Sequence, residues 1–164
     1  MKTHDVIHTN IQDCRLIKPK IYKDNRGRFS EIYKDQIGNI LDCKQINYSY
    51  SKKGVLRGIH KTPYAKLVTC ALGEIFDVCL DLRENSPSYG QYFCAKLNPD
   101  SMQQLYIPPN CGHGFYSFNK SIVIYMQEKI YDPNVDETFG YNRYNIPWPE
   151  KPTIMSQKDL AACA

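Results

Sequence analysis

Residues 66–82 read KLVTCALGEIFDVCLDL, and apolar side chains recur at every second position on both sides of Gly73-Glu74. A period of two is typical of β-strands, so this stretch predicts strands at residues 66–72 and 75–82, joined by a two-residue hairpin. In the second strand Asp77 and Asp81 share one face, which is either solvent-exposed or the wall of a polar cavity. We expect both aspartates to make structural hydrogen bonds rather than to act in catalysis.

The same alternation recurs along most of the chain, between clusters of Ser, Pro, Asn and Gly. It predicts six further strands, at residues 28–33, 44–50, 90–97, 103–107, 114–118 and 122–128. Helix is predicted only at residues 35–40 and in a short C-terminal segment, residues 156–162, with Ser156 as its N-cap. Residues 147–152 contain three prolines and should run extended. Eight short strands in a chain of this length indicate an all-β sandwich or barrel of the jelly-roll type.

Composition indicates one globular domain spanning residues 1–164. Hydrophobic residues make up 42% and charged residues 23%, which excludes a disordered or collagen-like chain. The net charge of +4 permits an anionic small-molecule ligand, but the basic residues do not cluster as in a nucleic-acid-binding protein. We find no apolar run long enough for a membrane span and no signal-peptide pattern. The seven cysteines are odd in number and lack C-x-x-C, so we expect reduced thiols and a cytoplasmic protein.

Two of the four histidines are candidates for chemistry. His4 and His8 lie in a polar N-terminal arm, where we expect them to be exposed. His60 ends the run VLRGIH, and His113 lies in a turn rich in Pro and Gly that leads into a strand, as in the second half-motif of cupin barrels. Either histidine alone is as well explained by a structural role. The His-rich ligand set of metal-binding cupins is missing, because no H-x-H occurs, so we expect no metal.

A lysine and a tyrosine on two predicted strands could face the same lumen. Lys66 begins one strand, and Tyr125 shares a face with Val123 and Gln127 on another. A period of two does not say which face of a strand points inward. Taken alone, Lys66 is more simply explained as a solvated residue at a strand start, and Tyr125 as a packing residue. Together with a histidine and a carboxylate, however, they supply the base, the acid and the oxyanion stabiliser that proton transfer next to a carbonyl needs.

A series of segments spread over nearly the whole chain resembles the dTDP-4-dehydrorhamnose 3,5-epimerase family of nucleotide-sugar epimerases. These segments are residues 24–31 (DNRGRFSE), 45–49 (QINYS), 55–60 (VLRGIH), 66–70 (KLVTC), 77–83 (DVCLDLR), 86–90 (SPSYG), 104–108 (QLYIP), 113–115 (HGF), Tyr125, 148–149 (WP) and 156–159 (SQKD). The order and spacing of the segments make the resemblance specific. It implies a cupin jelly roll, that is, a double-stranded β-helix.

The resemblance also implies a cofactor-free epimerase of a nucleotide-linked 4-keto-6-deoxyhexose, in deoxysugar and surface-polysaccharide biosynthesis. A ketone at C4 acidifies the hydrogens on C3 and C5, because either carbanion is delocalised onto the ketone oxygen as an enolate. Inversion then needs a base on one face of the sugar and an acid on the other. By resemblance His60 is the base, Asp159 its carboxylate partner, Tyr125 the acid, and Lys66 the cation beside the ketone oxygen.

Substrate-binding positions and a dimer follow from the same resemblance. Arg26 and Arg57 correspond to positions near the diphosphate, to which guanidinium groups can donate paired hydrogen bonds. The other implied binding positions are Gln45 and Asn47 beside the diphosphate, Phe29 and Glu31 near the base, His113 in the sugar pocket, and Lys158. Family members are commonly homodimers in which N-terminal strands, here within residues 1–50, cross between subunits.

Three departures from the family pattern leave the substrate open. Ile130 stands where many members have the first of two tyrosines, Arg143 replaces a carboxylate, and Lys61-Thr62 replaces an aromatic-Gln pair. A GDP- or UDP-linked hexose, or a 4-keto-heptose, fits these changes as well as a dTDP-sugar does. Epimerisation at C3 alone or at both C3 and C5 is compatible with the residues present.

Three rival functions are weaker. A 3,4-ketoisomerase of the sugar-cupin type should carry R-G-x-H-x-H, which this chain lacks. A non-catalytic sugar-nucleotide-binding cupin, or a purely structural domain, would need neither a base nor an acid on opposite faces of a ligand. The joint presence of His60, Lys66, Tyr125 and Asp159 therefore favours catalysis.

Overall fold

The computed structural model describes residues 4–34 and 40–164. Within these ranges the chain forms β1 (His4–His8), β2 (Arg15–Pro19), β3 (Tyr22–Asp24), β4 (Gly27–Phe29), β5 (Gln45–Ser51), β6 (Leu56–Lys61), β7 (Lys66–Leu72), β8 (Ile75–Asp81), β9 (Tyr92–Leu97), β10 (Gln104–Ile107), β11 (Cys111–Ser117), β12 (Ser121–Gln127), a 3₁₀ turn (Pro133–Val135), β13 (Glu137–Thr138) and α1 (Gln157–Ala161). No helix in the described ranges is long and apolar enough to cross a membrane.

Two antiparallel sheets make up the body of the fold. The larger sheet has the strand order β1-β2-β10-β7-β12-β5, and the smaller has the order β13-β6-β11-β8-β9. Most neighbouring strands are distant in sequence, which is the connectivity of a jelly roll. Strands β3 and β4 form a separate hairpin. The predicted all-β cupin jelly roll with a short C-terminal helical segment is therefore confirmed.

The stretch at residues 66–82 forms the two predicted strands, but the predicted hairpin is wrong. Strand β7 pairs with β10 and β12 in the larger sheet, whereas β8 pairs with β9 and β11 in the smaller one. Gly73, with a positive φ of 73°, lies at the corner where the chain passes between the sheets. The corner is held by Asn119, whose side-chain oxygen accepts a hydrogen bond from the Glu74 amide. Alternation predicts strands but does not specify their partners.

An apolar core fills the space between the sheets. It contains Ile11, Val68, Ile75, Leu97, Leu105 and Val123, among others. Ile75 lies on the same face of β8 as Asp77 and Asp81, and both aspartates are completely buried. This face therefore points into the barrel. The outer face of the smaller sheet is covered by the C-terminal tail, in which Trp148 packs against Phe76 with ring centroids 5.8 Å apart.

Several sequence-based boundaries differ from the structure. The strand predicted at residues 28–33 ends at Phe29, because Ile32 leaves the hairpin and packs against another apolar cluster. The helix predicted at residues 35–40 falls mainly outside the described residues. The expected exposure of His4 is wrong, since its ring is buried and hydrogen bonds to the Glu31 carbonyl at 2.9 Å. His8 is exposed as expected.

Candidate active site

One cavity between the two sheets brings together all four residues of the predicted catalytic set. It has a volume of about 290 Å³ and is lined by Ser49, Arg57, His60, Lys66, His113, Phe115, Tyr125, Ser156 and Asp159. Strands β6 and β11 supply the two histidines from the smaller sheet, and β7 and β12 supply the lysine and the tyrosine from the larger one. The two groups therefore face each other across the cavity.

A wider surface depression of about 500 Å³ lies elsewhere, beside Arg83. The Arg83 guanidinium already donates hydrogen bonds to Asp81 at 2.9 Å and to the Gln12 carbonyl at 2.7 Å. The depression lacks the facing histidine, lysine and tyrosine side chains of the smaller cavity. We therefore place the candidate active site in the cavity between the sheets.

His60 is held by a carboxylate from α1. Its Nε2 lies 2.6 Å from Oδ1 of Asp159, whose side chain is almost fully buried. Burial alone would raise the pKa of Asp159, but hydrogen bonds from His60, Ser156 and Gly58, with the charge of His60, hold that pKa below its usual value. The ionised carboxylate accepts a hydrogen bond from Nε2–H and so fixes the tautomer, which leaves Nδ1 as the ring nitrogen that can act as a base.

The backbone of β6 carries His60 past a close approach of two strands. Gly58 has a φ of 118°, and a Cβ on this residue would lie 2.6 Å from the Cα of Gly114. Only glycine fits such a position without strain. The register of β6 and β11 also shifts next to His113, and such bulges commonly reorient side chains beside active sites.

A second histidine–carboxylate pair lies directly beside the first. His113 is opposite His60 in the pairing of β11 with β6, and its Nε2 lies 2.7 Å from Oδ1 of Asp77. Complete burial raises the pKa of Asp77, while His113 acts in the opposite direction. The expected structural hydrogen bond of Asp77 is present, and its partner lines the cavity. In the sequence, period two places Asp77 on one face of the strand with Ile75 and Asp81, but it leaves open whether that face points to solvent or into a cavity.

Lys66 and Tyr125 occupy the opposite wall. Lys66 is 8% exposed, and burial lowers its pKa to about 8, with the charge of Asp136 opposing that effect. Its Nζ lies 6.0 Å from the centre of the Tyr64 ring. Burial raises the pKa of Tyr125, and the positive charge of Arg57 opposes this change. Near neutral pH the lysine is therefore mostly charged and the phenol is protonated.

Polar residues of β5 extend the cavity along the edge of the larger sheet. Asn47 pairs with Tyr125, and its side-chain nitrogen donates to Gln127 at 3.2 Å. Gln45 donates to Asn47 at 2.7 Å. Arg57 reaches across from β6, and its Nε donates to Ser51 at 3.0 Å. Gln45, Asn47 and Arg57, three of the predicted binding residues, therefore lie at or next to the cavity.

The other predicted binding residues lie apart from the cavity. Arg26 and Phe29 belong to the exposed β3–β4 hairpin, where Arg26 pairs with Asp24 at 2.6 Å. Glu31 pairs with Lys34 at 3.2 Å. Lys158 is half exposed, and its ammonium contacts a carboxylate next to β13 instead of the cavity. Within a single chain these four residues therefore do not join the site, and their binding roles remain predictions.

The residues that sequence reasoning missed are the small and supporting ones. Ser49, Phe115 and Ser156 line the cavity, but their residue types carry no chemical signature in a sequence. In residues 4–34 and 40–164, no three His, Cys, Asp or Glu side chains converge as a metal-binding group.

Comparisons with known proteins agree with this arrangement. The family model described as dTDP-4-dehydrorhamnose 3,5-epimerase matches residues 8–164. A dTDP-4-dehydrorhamnose 3,5-epimerase from Salmonella typhimurium is 37% identical over 170 residues, covering 96% of this chain and 93% of the relative. One from Shigella flexneri is 34% identical, covering 95% and 93%.

Solved structures give the same result. A dTDP-6-deoxy-D-glucose-3,5-epimerase from Legionella pneumophila, in complex with dTDP-4-keto-L-rhamnose, is 34% identical and superposes with a TM-score of 0.91, covering 97% of this chain and 91% of that one. A 3'-monoepimerase from Streptomyces bikiniensis, in complex with dTDP-quinovose, is 25% identical with a TM-score of 0.88, covering 94% and 84%. Proteins that epimerise one carbon and proteins that epimerise two thus share this fold.

Proposed function

Because the chain belongs to the dTDP-4-dehydrorhamnose 3,5-epimerase family and is an epimerase, we propose which substrate its cavity binds and which residues carry out the proton transfers. The substrate is a nucleotide-linked 4-keto-6-deoxy sugar, inverted at C3 or at both C3 and C5, in deoxysugar biosynthesis. One observation carries this proposal: a histidine paired with a carboxylate faces a tyrosine on the opposite sheet across a single cavity.

We assign the first proton transfer to His60. Its Nδ1 removes the proton from C3, and the electron pair of the C–H bond moves into the C4 carbonyl as an enolate. Asp159, 2.6 Å from Nε2, stabilises the imidazolium that forms. The ammonium of Lys66 faces the same cavity and favours the negatively charged enolate oxygen over the neutral ketone.

We assign the second proton transfer to Tyr125. Its phenol delivers a proton to C3 from the opposite face, so the configuration inverts, and solvent then returns a proton to the phenolate and accepts the one on His60. Because burial raises the pKa of Tyr125, the group is in its donating form at neutral pH. A ring flip of the sugar would present C5 to the same two groups. His113, held by Asp77, binds the sugar beside His60.

The nucleotide diphosphate is proposed to bind at the β5 edge of the cavity. Arg57 is oriented there by hydrogen bonds to Ser51 and to the Tyr50 carbonyl, and Gln45 and Asn47 provide neutral donors. The nucleotide can be dTDP, GDP or UDP. Ile130, which stands in place of a family tyrosine and is largely exposed, removes an aromatic contact that could have selected among bases.

We further propose a homodimer that completes the nucleotide site. Arg26 and Phe29 are exposed on the β3–β4 hairpin, so they can serve the nucleotide only if the hairpin of one copy reaches the cavity of the other. The outer face of β5 exposes Ile46, Tyr48 and Tyr50, and such an apolar edge is suited to a protein interface. Sedimentation of the native chain and of Tyr48→Lys tests this proposal, and a fully active native monomer would refute it.

The compartment is proposed to be the cytoplasm. All seven cysteines are free thiols, which suits a reducing environment. No cofactor is required by the proton transfers assigned above.

Proton NMR in heavy water tests the proposed function directly. The protein is mixed in turn with dTDP-, GDP- and UDP-linked 4-keto-6-deoxyglucose, and the C3 and C5 hydrogens are followed. Loss of these signals with one nucleotide, together with new ring couplings, would establish epimerisation and identify both the nucleotide and the carbons. If none of the three sugars exchanges its C3 or C5 hydrogen with solvent but one of them binds, a non-catalytic sugar-nucleotide-binding cupin becomes the better hypothesis.

A further inference from the structure

An ion pair between a buried carboxylate and a half-exposed lysine links α1 to the neighbourhood of His60. Asp136 lies just before β13, its side chain is 6% exposed, and its Oδ2 accepts a hydrogen bond from Lys158 Nζ at 2.9 Å. Lys158 immediately precedes Asp159 in α1. On the other side, Thr138 of β13 lies opposite His60 of β6. The ion pair and the His60–Asp159 hydrogen bond are therefore two adjacent links between the same two parts of the molecule.

Asp159 contacts His60 and the Gly58 amide, and the segment before the helix is anchored by a bridge between Ile154 and Val55, but few other side chains of the helix hold it in place. It is five residues long, and Asp159 is its only buried residue, while Leu160 is half exposed. A helix of this length does not persist without tertiary contacts. Beyond its C-terminal end, Asn142 and Arg143 donate to the backbone carbonyls of Cys163 and Ala164, but these contacts are exposed.

We propose that Asp136 is a positioning residue for the epimerase reaction: through Lys158 it fixes α1 and so keeps the carboxylate of Asp159 on the ring of His60. The inference rests on the proposed role of His60 as the base. Tyr131 supports the arrangement, because its hydroxyl donates to the same Asp136 oxygen at 3.2 Å. Lys158, implied by resemblance to bind substrate, is thereby assigned to the support of the base.

Asp136→Asn and Lys158→Gln are the test variants, with Glu137→Gln as a matched control. Glu137 is the next residue along, and it forms an ion pair of the same 2.9 Å length with Lys61, but on β6 rather than on α1. We expect each test variant to lower kcat by about tenfold or more with KM nearly unchanged, because misplacement of a catalytic pair affects the chemical step. The double variant should be no worse than the more damaged single one. The control should match the native protein.

An NMR signal of the His60–Asp159 hydrogen bond tests the position of Asp159 in the absence of substrate. The short Nε2–H···O bond between His60 and Asp159 should give a far-downfield imidazole N–H proton resonance in the substrate-free protein, which His60→Ala identifies by its disappearance. Both test variants should weaken or broaden this resonance, and Glu137→Gln should preserve it. Lys158→Gln is the more specific test, because Asp136→Asn also removes a negative charge that raises the pKa of Lys66.

Three results distinguish the possibilities. A lower melting temperature in the test variants with native kcat and an intact resonance would overturn the proposal and leave a purely stabilising ion pair. A raised KM with native kcat in Lys158→Gln would overturn it in favour of direct substrate binding by Lys158. If the native protein has no epimerase activity but Asp136→Asn still weakens the resonance, the positioning inference would be supported and the proposed function refuted.

Discussion

The buried ammonium of Lys66 should destabilise the fold that it serves. Burial lowers its pKa from 10.5 to about 8, and this change corresponds to about 3 kcal/mol at pH 7. Because the folded-state pKa lies below the unfolded one, the unfolded chain binds more protons between these two values. The penalty is therefore fully present below about pH 8 and fades as the pH rises, to about 2 kcal/mol at pH 9 and about 1 kcal/mol at pH 10.

Replacing Lys66 by Met keeps an unbranched apolar chain of similar length and removes the charge. The variant should gain stability over the native protein at pH 7, and this advantage should shrink by about 1 kcal/mol at pH 9. Urea unfolding at both pH values measures the change, and pH-independent packing differences cancel in the comparison. Lys53→Met, at an exposed position, should show no such trend. An advantage of Lys66→Met that is the same at both pH values would refute the assignment of a buried, charged ammonium.

Three further predictions concern the reaction itself. His60→Ala should abolish solvent deuterium incorporation at both C3 and C5, and exchange at the native rate would remove His60 from the role of base. Tyr125→Phe should still permit exchange while suppressing inversion, because the enolate forms but cannot be protonated from the opposite face; NMR of the recovered sugar distinguishes the two events. In the native protein kcat/KM should fall about tenfold per pH unit above about pH 8 as Lys66 of the substrate-free protein loses its proton, and a flat kcat/KM profile to pH 10 would contradict the role of its charge.

Sequence patterns predicted several strands to within about one residue of their bounds, including β7 and β8, which are largely buried on both faces. Strand β7 matches its predicted bounds, and β5, β8 and β12 deviate by a residue or so. The short strands β1, β2, β3 and β13 were not predicted. Strand β6 was also not predicted, because Gly58 interrupts its alternation, and the glycines of β11 shortened the prediction there. The close approach of Gly58 to Gly114 explains the failures at β6 and β11. The glycines allow β6 and β11, which carry His60 and His113, to approach each other, but they also interrupt the alternation of apolar and polar residues that predicts a strand.

The candidate site was predictable to the extent that it depends on residue identity. His60, Lys66 and Tyr125 were named from their chemistry together with the family resemblance, and the fold brings them to one cavity. Asp136 carried no signal, because a carboxylate that acts through a lysine 22 residues later has no recognisable spacing. Arg26 belongs to a third category, since its predicted role depends on a second copy of the chain.

The electrostatic difference between the two histidine–carboxylate pairs gives a reason, independent of any resemblance, for choosing His60 as the base. A histidine that takes a proton from carbon becomes a cation, and its partner carboxylate must be ionised to stabilise it. Asp159 meets this condition, because hydrogen bonds from Ser156 and Gly58 help hold its pKa below the usual value. Asp77 meets it less well, since complete burial raises its pKa. His113 is therefore better suited to holding the sugar, and we propose that the two adjacent imidazoles divide binding and proton transfer between them.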